Sequence, residues 1–493
     1  MSSRPVIFLF LIFVSATNAW SLTDTVRIQR IVIEGNQRTD VQIIRRELLF
    51  ATGDQIDTTL FVESARNLRR LFFIGEVDIR HAEEHGEAIV TVTVEDLYSR
   101  ALSPLVSGQL DQLSIGLVGL DYNLFGRGQS LRTTLENRAI SGYWLDIDFT
   151  EPRLAGTRHS LSSRIGAGAE GHNFSIEVAR PFATLADQRA YGLSLASRQS
   201  VQRLYSNGEL DQRYSDRINN GRLWITRSFG QHTKIRPSFQ LGVSQRRFDA
   251  SSPFSYAPNN RTRAIPSMGL LIWRPNYIRR RFINDLGPLE DLQAGSWLSL
   301  HWGMTHKAWG SDRTFSFYQI QLAPRLQPTT RTFTQMNLYA STRLDGAGIY
   351  NLSALASLRT YTRIGSVHSL AMHISWEAIH RSEDAAQFLL GLERGLRGFA
   401  PRRLNGNRRL RINIEARPTL IRDPWYVLAC AAFLDIGAAW TPDIEKPNLE
   451  YSPGFGFRLG LPKIYNTPVF RGDIAYGVSV DAWQVSIGLG QYF

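Results

Sequence analysis

The stretch Trp483-Gln484-Val485-Ser486-Ile487-Gly488-Leu489-Gly490-Gln491-Tyr492-Phe493 decides the fold. Trp483, Val485, Ile487, Leu489 and Phe493 share one face, and Gln484, Ser486, Gly488 and Gly490 the other. Gln491 and Tyr492 break the pattern, each on the wrong face. A period of two belongs to a β-strand, whose side chains alternate across the pleat. Apolar residues on one face and polar ones or glycine on the other, over about 9–11 residues, describe a tilted transmembrane β-strand. The reading predicts that this strand finishes within the sheet, because a closed barrel leaves no edge in lipid.

The same period extends upstream to about Ala101. Tyr143, Leu145, Ile147 and Phe149 alternate with Trp144, Asp146, Asp148 and Thr150, and Leu370, Met372, Ile374 and Trp376 alternate with Ala371, His373, Ser375 and Glu377. Leu410, Ile412, Ile414 and Ala416 alternate with Arg411, Asn413, Glu415 and Arg417. A soluble sandwich also alternates, but with shorter strands. Polar stretches at 206–221, 249–263 and 381–409 read as extracellular loops, with tight turns at the other rim. At roughly 20–25 residues per strand and connection, residues 101–493 predict a transmembrane antiparallel barrel of about 16 strands.

The first residues indicate the compartment. Arg4 precedes an unbroken apolar run, Val6 to Val14, and small residues follow to Ala19. This is the layout of a secretory signal peptide over residues 1–19, with cleavage expected after Ala19. The run is too short for a helical span, which needs about 20 apolar residues. No later run approaches that length. Cys430 is the only cysteine, which excludes an internal disulfide and a multi-cysteine metal site. The formal charge is +12, and all but four of the 56 basic residues are arginine. Such a chain attracts polyanions, either nucleic acid or anionic headgroups. A secreted chain points to outer-membrane lipids and not to nucleic acid.

Residues 24–97 follow a different pattern and predict a separate α+β unit. Arg27 to Ile33 reads as a strand closed by Gly35-Asn36, and Asp40 caps a helical stretch with Val41, Ile44, Leu48 and Leu49 on one face. A second helix is expected over 60–73, followed by strands at 77–79 and 88–94. The order β-α-α-β-β places two helices on one face of a three-stranded sheet.

Several short sequences then carry a resemblance. Ile31-Val32-Ile33-Glu34-Gly35-Asn36, Leu71-Phe72-Phe73 ahead of Val77, and Val92-Thr93-Val94-Glu95 resemble a POTRA domain. Asp121-Tyr122-Asn123-Leu124-Phe125-Gly126-Arg127-Gly128, Asp148-Phe149-Thr150-Glu151-Pro152, Gly395-Leu396-Arg397-Gly398-Phe399 and Phe433-Leu434-Asp435-Ile436-Gly437 follow in order, and Phe493 ends the run. Together they are similar to the BamA/TamA superfamily of outer-membrane assembly and secretion proteins. One POTRA-like unit is fewer than relatives of that superfamily carry. The resemblance implies that Arg397 pins the sixth extracellular loop inside the barrel, with Gly398 and Phe399 beside it. It also implies that the last strand, with Trp483, Val485, Ile487, Leu489 and Phe493, is the signal by which barrel-assembly machinery recognises the chain.

The residues supply partners for that arginine. Glu415 faces inward because Ile412, Ile414 and Ala416 face outward, and Asp435 does so because Leu434, Ile436 and Trp440 face outward. A guanidinium in a lumen needs such carboxylates, since an unpaired buried charge is costly. Other motifs carry no chemistry. Gly166-Ala167-Gly168-Ala169-Glu170-Gly171 spells a dinucleotide fingerprint, but an alternating strand follows it where a helix is required. No P-loop, nucleophile elbow or His-Glu-x-x-His occurs, so no catalytic residues, cofactor or metal are expected. Three classes remain: insertion or translocation of client polypeptides, a passive channel or structural barrel, and an embedded enzyme. The POTRA-like unit, which offers a sheet edge to a client strand, favours the first.

Overall fold

In the computed structural model, residues 26–493 are described, except 85–86, 110–111, 288, 443 and 464–468. The signal-peptide expectation for residues 1–19 lies outside the described residues.

The N-terminal unit contains β1 (Arg27–Glu34), α1 (Val41–Arg45), α2 (Thr58–Arg69), β2 (Ile74–Glu84) and β3 (Glu87–Asp96). The sheet order is β1-β3-β2, with β1 parallel and β2 antiparallel to β3. The parallel pair needs a crossover, which the two helices supply. Asp40 and Asp57 cap them by accepting from the amides of Gln42 and Thr59. Ile44 and Leu68 meet Ile28, Ile74, Val90 and Val92 in one core. α1 stops at Arg45, short of the expected Leu49, whose amide donates instead to Ser64 Oγ on α2 at 2.9 Å.

The barrel corrects the expected strand number. It closes with 20 strands, not about 16. Phe315–Ala323 and Arg325–Thr329 form one strand broken at Pro324, and Arg408–Arg417 and Thr419–Arg422 one broken at Pro418. Proline lacks the N–H the ladder uses, so each break falls there. The count was low because connections are shorter than assumed. The polar stretch 206–221 is not a loop: Arg189–Ser206 and Glu209–Arg227 pair through a turn at Asn207-Gly208. Polar residues there occupy both faces of strands that continue beyond the apolar belt.

Alternation builds that belt. Leu193, Leu223 and Leu241 stand in one cross-strand row and are 49%, 56% and 46% exposed. Tyr143, Leu145 and Ile147 are likewise exposed outward. Such a surface is stable only against lipid. With an even strand number both barrel ends reach the rim that carries the POTRA-like unit. Arg153 Nη2 meets Glu47 Oε2 at 2.8 Å, the Leu185 amide donates to Glu63 at 2.7 Å, and Lys463 Nζ meets Glu95 at 2.8 Å. A hairpin over 277–293, unforeseen in the sequence, sits inside that rim.

Candidate functional site: a buried arginine and the barrel seam

The segment 381–407 leaves His368–His380 and folds back into the lumen before Arg408–Arg417 begins. Leu390, Leu396 and Phe399 bury themselves with Ala439, which turns Arg397 toward the wall. The Arg397 side chain has no solvent exposure. Its Nε and Nη2 donate to Asp435 Oδ2 and Oδ1, both at 2.8 Å, and Nη1 donates to Glu415 Oε2 at 2.8 Å. The Arg397 amide adds a bond to Asp435 at 3.1 Å. Bidentate, charge-assisted pairing of this kind is among the strongest side-chain contacts. Above and below the guanidinium lie the rings of Phe433 and Tyr492, 3.3 Å and 4.1 Å from Cζ to centroid.

Gly398 makes the close approach possible. Its amide donates to Ser452 Oγ at 2.6 Å, and a Cβ would stand 2.6 Å from the Gly477 nitrogen. Phe399 is buried in the loop's apolar cluster, away from the arginine's ion pairs.

The network is larger than the sequence reading proposed. Glu415 also accepts from Arg417 at 2.9 Å and Arg458 at 3.0 Å. Asp473 joins Arg458 at 2.7 Å and Arg471 at 2.9 Å, and lies 3.6 Å from Arg397. Asn413 donates to Asp435 and to the Gly395 carbonyl. Four guanidiniums therefore share three carboxylates. Burial works against the charge on Arg397, but Asp435 and Glu415 outweigh it and hold the group above its ordinary value. Arg458 and Asp473 sit on the same inward parity that marked Glu415, but no motif marked them out from their neighbours.

The last strand differs from its expected course. It runs Ala482–Leu489 and stops. Trp483, Val485, Ile487 and Leu489 lie on its outer face, whereas Phe493 does not. Gly490, at φ +82°, turns the chain inward, a conformation glycine adopts without a Cβ penalty. Tyr492 then donates to the Leu392 carbonyl at 2.7 Å and accepts from the Gly395 amide at 3.0 Å, and Phe493 stacks on His373 inside the lumen. The irregularity at Gln491 and Tyr492 is thus the end of the strand.

This early turn leaves a seam. The first barrel strand, Arg100–Gln109, meets the last through only Gln109↔Ser486 and Gly108↔Ile487 among the described residues. On its other side the same strand makes a full ladder with Gln112–Leu124. Arg100–Ser107 therefore presents one unpaired edge.

Comparison with known proteins gives matches to parts of the chain. The POTRA family, described as "Surface antigen variable number repeat", matches residues 26–96. The outer membrane protein assembly factor BamA of Neorickettsia risticii is 29% identical over 140 residues, covering 27% of this chain and 18% of that protein. BamA of Nitratidesulfovibrio vulgaris is 29% identical over 135 residues, covering 26% and 17%. The chain thus spans less than a fifth of the length of these curated relatives. Among solved structures, BamA from Haemophilus ducreyi lacking POTRA domains 1–3 gives a TM-score of 0.47 at 13% identity, covering 94% of this chain and 85% of that one. CdiB from Acinetobacter baumannii gives 0.48 at 14%, covering 95% and 74%. The chain thus joins a POTRA domain to a closed β-barrel. Its barrel belongs in the outer membrane, with the POTRA domain in the periplasm.

Proposed function

We propose that this protein inserts client polypeptides into the outer membrane or moves them across it. In this reading the POTRA domain docks the client and the seam gives it access to the membrane. The seam is the observation that carries it. Each hydrogen bond contributes about 0.5–1.5 kcal/mol net in water-accessible settings, so two residue pairs hold the barrel shut far more weakly than the ladders around it. An unpaired strand edge at membrane depth is costly and is satisfied by adding a strand. A client strand can supply that partner by β-augmentation. Arg397 anchors the inward loop beside this seam, and the outer face of the last strand is the part that assembly machinery would read. The partners are client polypeptides, outer-membrane lipids and the machinery that inserts this barrel.

A reversible lock tests the proposal. With Cys430→Ser as background, Gln109→Cys and Ser486→Cys place a disulfide across the seam. Cells relying on the locked form should lose client proteins from the outer membrane and cell surface, and a reductant should restore them. Unchanged outer-membrane and surface proteomes in the locked state would leave a passive channel or structural barrel as the better reading.

A further inference from the structure

The connection between Arg261–Trp273 and Trp297–Thr305 is not a tight turn. It folds into a hairpin, Tyr277–Arg280 paired with Glu290–Gln293. The hairpin seats on the inner wall at the periplasmic end in two places. Ile283, Leu292 and Ala294 pack on Phe333, Tyr361 and Ala371, and Phe282 and Leu286 pack on Val427, Ala429 and Val469. Phe333, Tyr361, Ala371 and Val427 all stand on the inward register of their strands, where polar residues are the rule. Without the hairpin this would be an apolar patch facing water, the mark of an interaction site.

The opposite side of the hairpin faces the POTRA domain. Arg69 of α2 forks onto Asp291 at 2.6 and 3.0 Å, Arg281 pairs with Glu76, and the Arg66 guanidinium lies 4.1 Å over the Tyr277 ring. Beside these contacts a cavity of about 780 Å³ separates the POTRA domain from the rim, lined by Arg70, Phe72, Leu97, Leu289, Arg422 and Lys463 among others.

We propose that the apolar wall patch is a docking site for an extended client segment of alternating apolar residues carrying an acidic side chain. In the resting molecule the chain's own hairpin occupies it. This rests on the client-handling reading above. The resident ligand defines the chemistry. Ile278 pairs with Leu292, and Leu292 and Ala294 share a face, so this part of the occupant is extended with one apolar face, while Phe282, Ile283 and Leu286 come from the connection between the two strands. Asp291 supplies the carboxylate that Arg69 holds. A client segment of the same character satisfies the same wall and the same arginine. Its entry through the adjoining cavity displaces the hairpin from both. Fixing the hairpin to POTRA and wall together makes release depend on the domain that meets clients first.

Two cysteine reporters in the full chain with Cys430→Ser test this. Ile283→Cys reports release of the hairpin, and Ala371→Cys reports cover of the wall. Both should react slowly with a bulky maleimide. Saturating an added peptide of alternating apolar residues with one aspartate, unrelated in sequence to 274–296, should speed labelling of Ile283→Cys roughly tenfold, as loss of about 1.4 kcal/mol of hold would. Ala371→Cys should stay protected, because the peptide now covers it. Asp291→Asn should raise the Ile283→Cys rate without peptide, and the exchange Arg69→Asp with Asp291→Arg should lower it again. Fast labelling of Ile283→Cys from the outset, no response to the peptide, or a response only to a copy of residues 274–296 would each overturn the docking site. A locked seam that leaves the proteomes unchanged, with the peptide response intact, would instead count against the client-handling reading alone.

Discussion

Arg397 brings a full charge into a volume without solvent, and every feature around it compensates. Asp435 takes two of its nitrogens, Glu415 a third, and two aromatic rings cover its faces. Removing the guanidinium leaves the buried Asp435 carboxylate with no charged partner, only the Asn413 side-chain amide and the backbone amide at position 397, while Glu415 keeps Arg417 and Arg458; the cost is about 3–5 kcal/mol. Arg397→Ala should therefore lower the urea midpoint of the folded barrel, read by heat-modifiable migration. It should also expose the 381–407 segment to added protease. Arg397→Lys should recover only part of the loss, because an ammonium cannot fork onto Asp435 while also reaching Glu415. Equal midpoints for all three proteins would show that the contact adds nothing to stability. Asp435→Asn keeps the shape, leaves the guanidinium underpaired, and should fall between wild type and Arg397→Ala.

At the scale of elements, the tail and the seam compete for the same residues. Continuing the observed register would set Leu489 against Val106 and Phe493 against Leu102, with the side chains of all four facing lipid. The tail instead turns in at Gly490 and is held by Tyr492. Tyr492→Ala removes two hydrogen bonds and one face of the arginine sandwich, and should let the strand run on. A Leu102→Cys, Phe493→Cys pair should then cross-link readily with Tyr492→Ala and poorly with Tyr492 present. Equal cross-linking in both would show that Tyr492 does not hold the tail in. The same elements show what was legible beforehand. Strands with one face in lipid announce themselves by alternation, and parity on those strands placed Glu415 and Asp435 inward. Parity also applied to Arg458 and Asp473, but without a motif nothing singled them out. The hairpin 277–293 gave no signal, because strands of four residues are too short to show a period. The turn at Gly490 appeared only as two misplaced residues, since the pocket that draws Tyr492 in is built by loop residues almost a hundred positions earlier.

At the scale of the molecule, the POTRA domain is tied to the barrel by contacts spread around the rim, none of them large. Glu47–Arg153 and Glu95–Lys463 lie on different turns, and Arg69–Asp291 joins the domain to the hairpin. Glu95–Lys463 is half-exposed, and a pair of that kind contributes only about 0–1 kcal/mol and weakens with salt. The domain is thus positioned by several separate polar links. Burial pushes the Glu95 carboxyl up, but the bond and charge of Lys463 outweigh it, so its pKa lies below the ordinary carboxylate value. A depressed folded pKa gives a contribution present in full above the ordinary carboxylate range. That contribution disappears as pH falls through the lowered value. Spin labels at Val62→Cys on α2 and Thr157→Cys on the rim, in the Cys430→Ser chain, read the consequence as a distance distribution. At neutral pH and low salt it should be single and narrow. It should broaden at molar salt, in Glu47→Arg, and as pH falls below the ordinary carboxylate value of about 4.3 and through the lowered value of Glu95. Combining Glu47→Arg with Arg153→Glu should narrow it again. A distribution indifferent to salt, acid and charge reversal would mean that apolar contact, and not these ion pairs, holds the domain beneath the barrel.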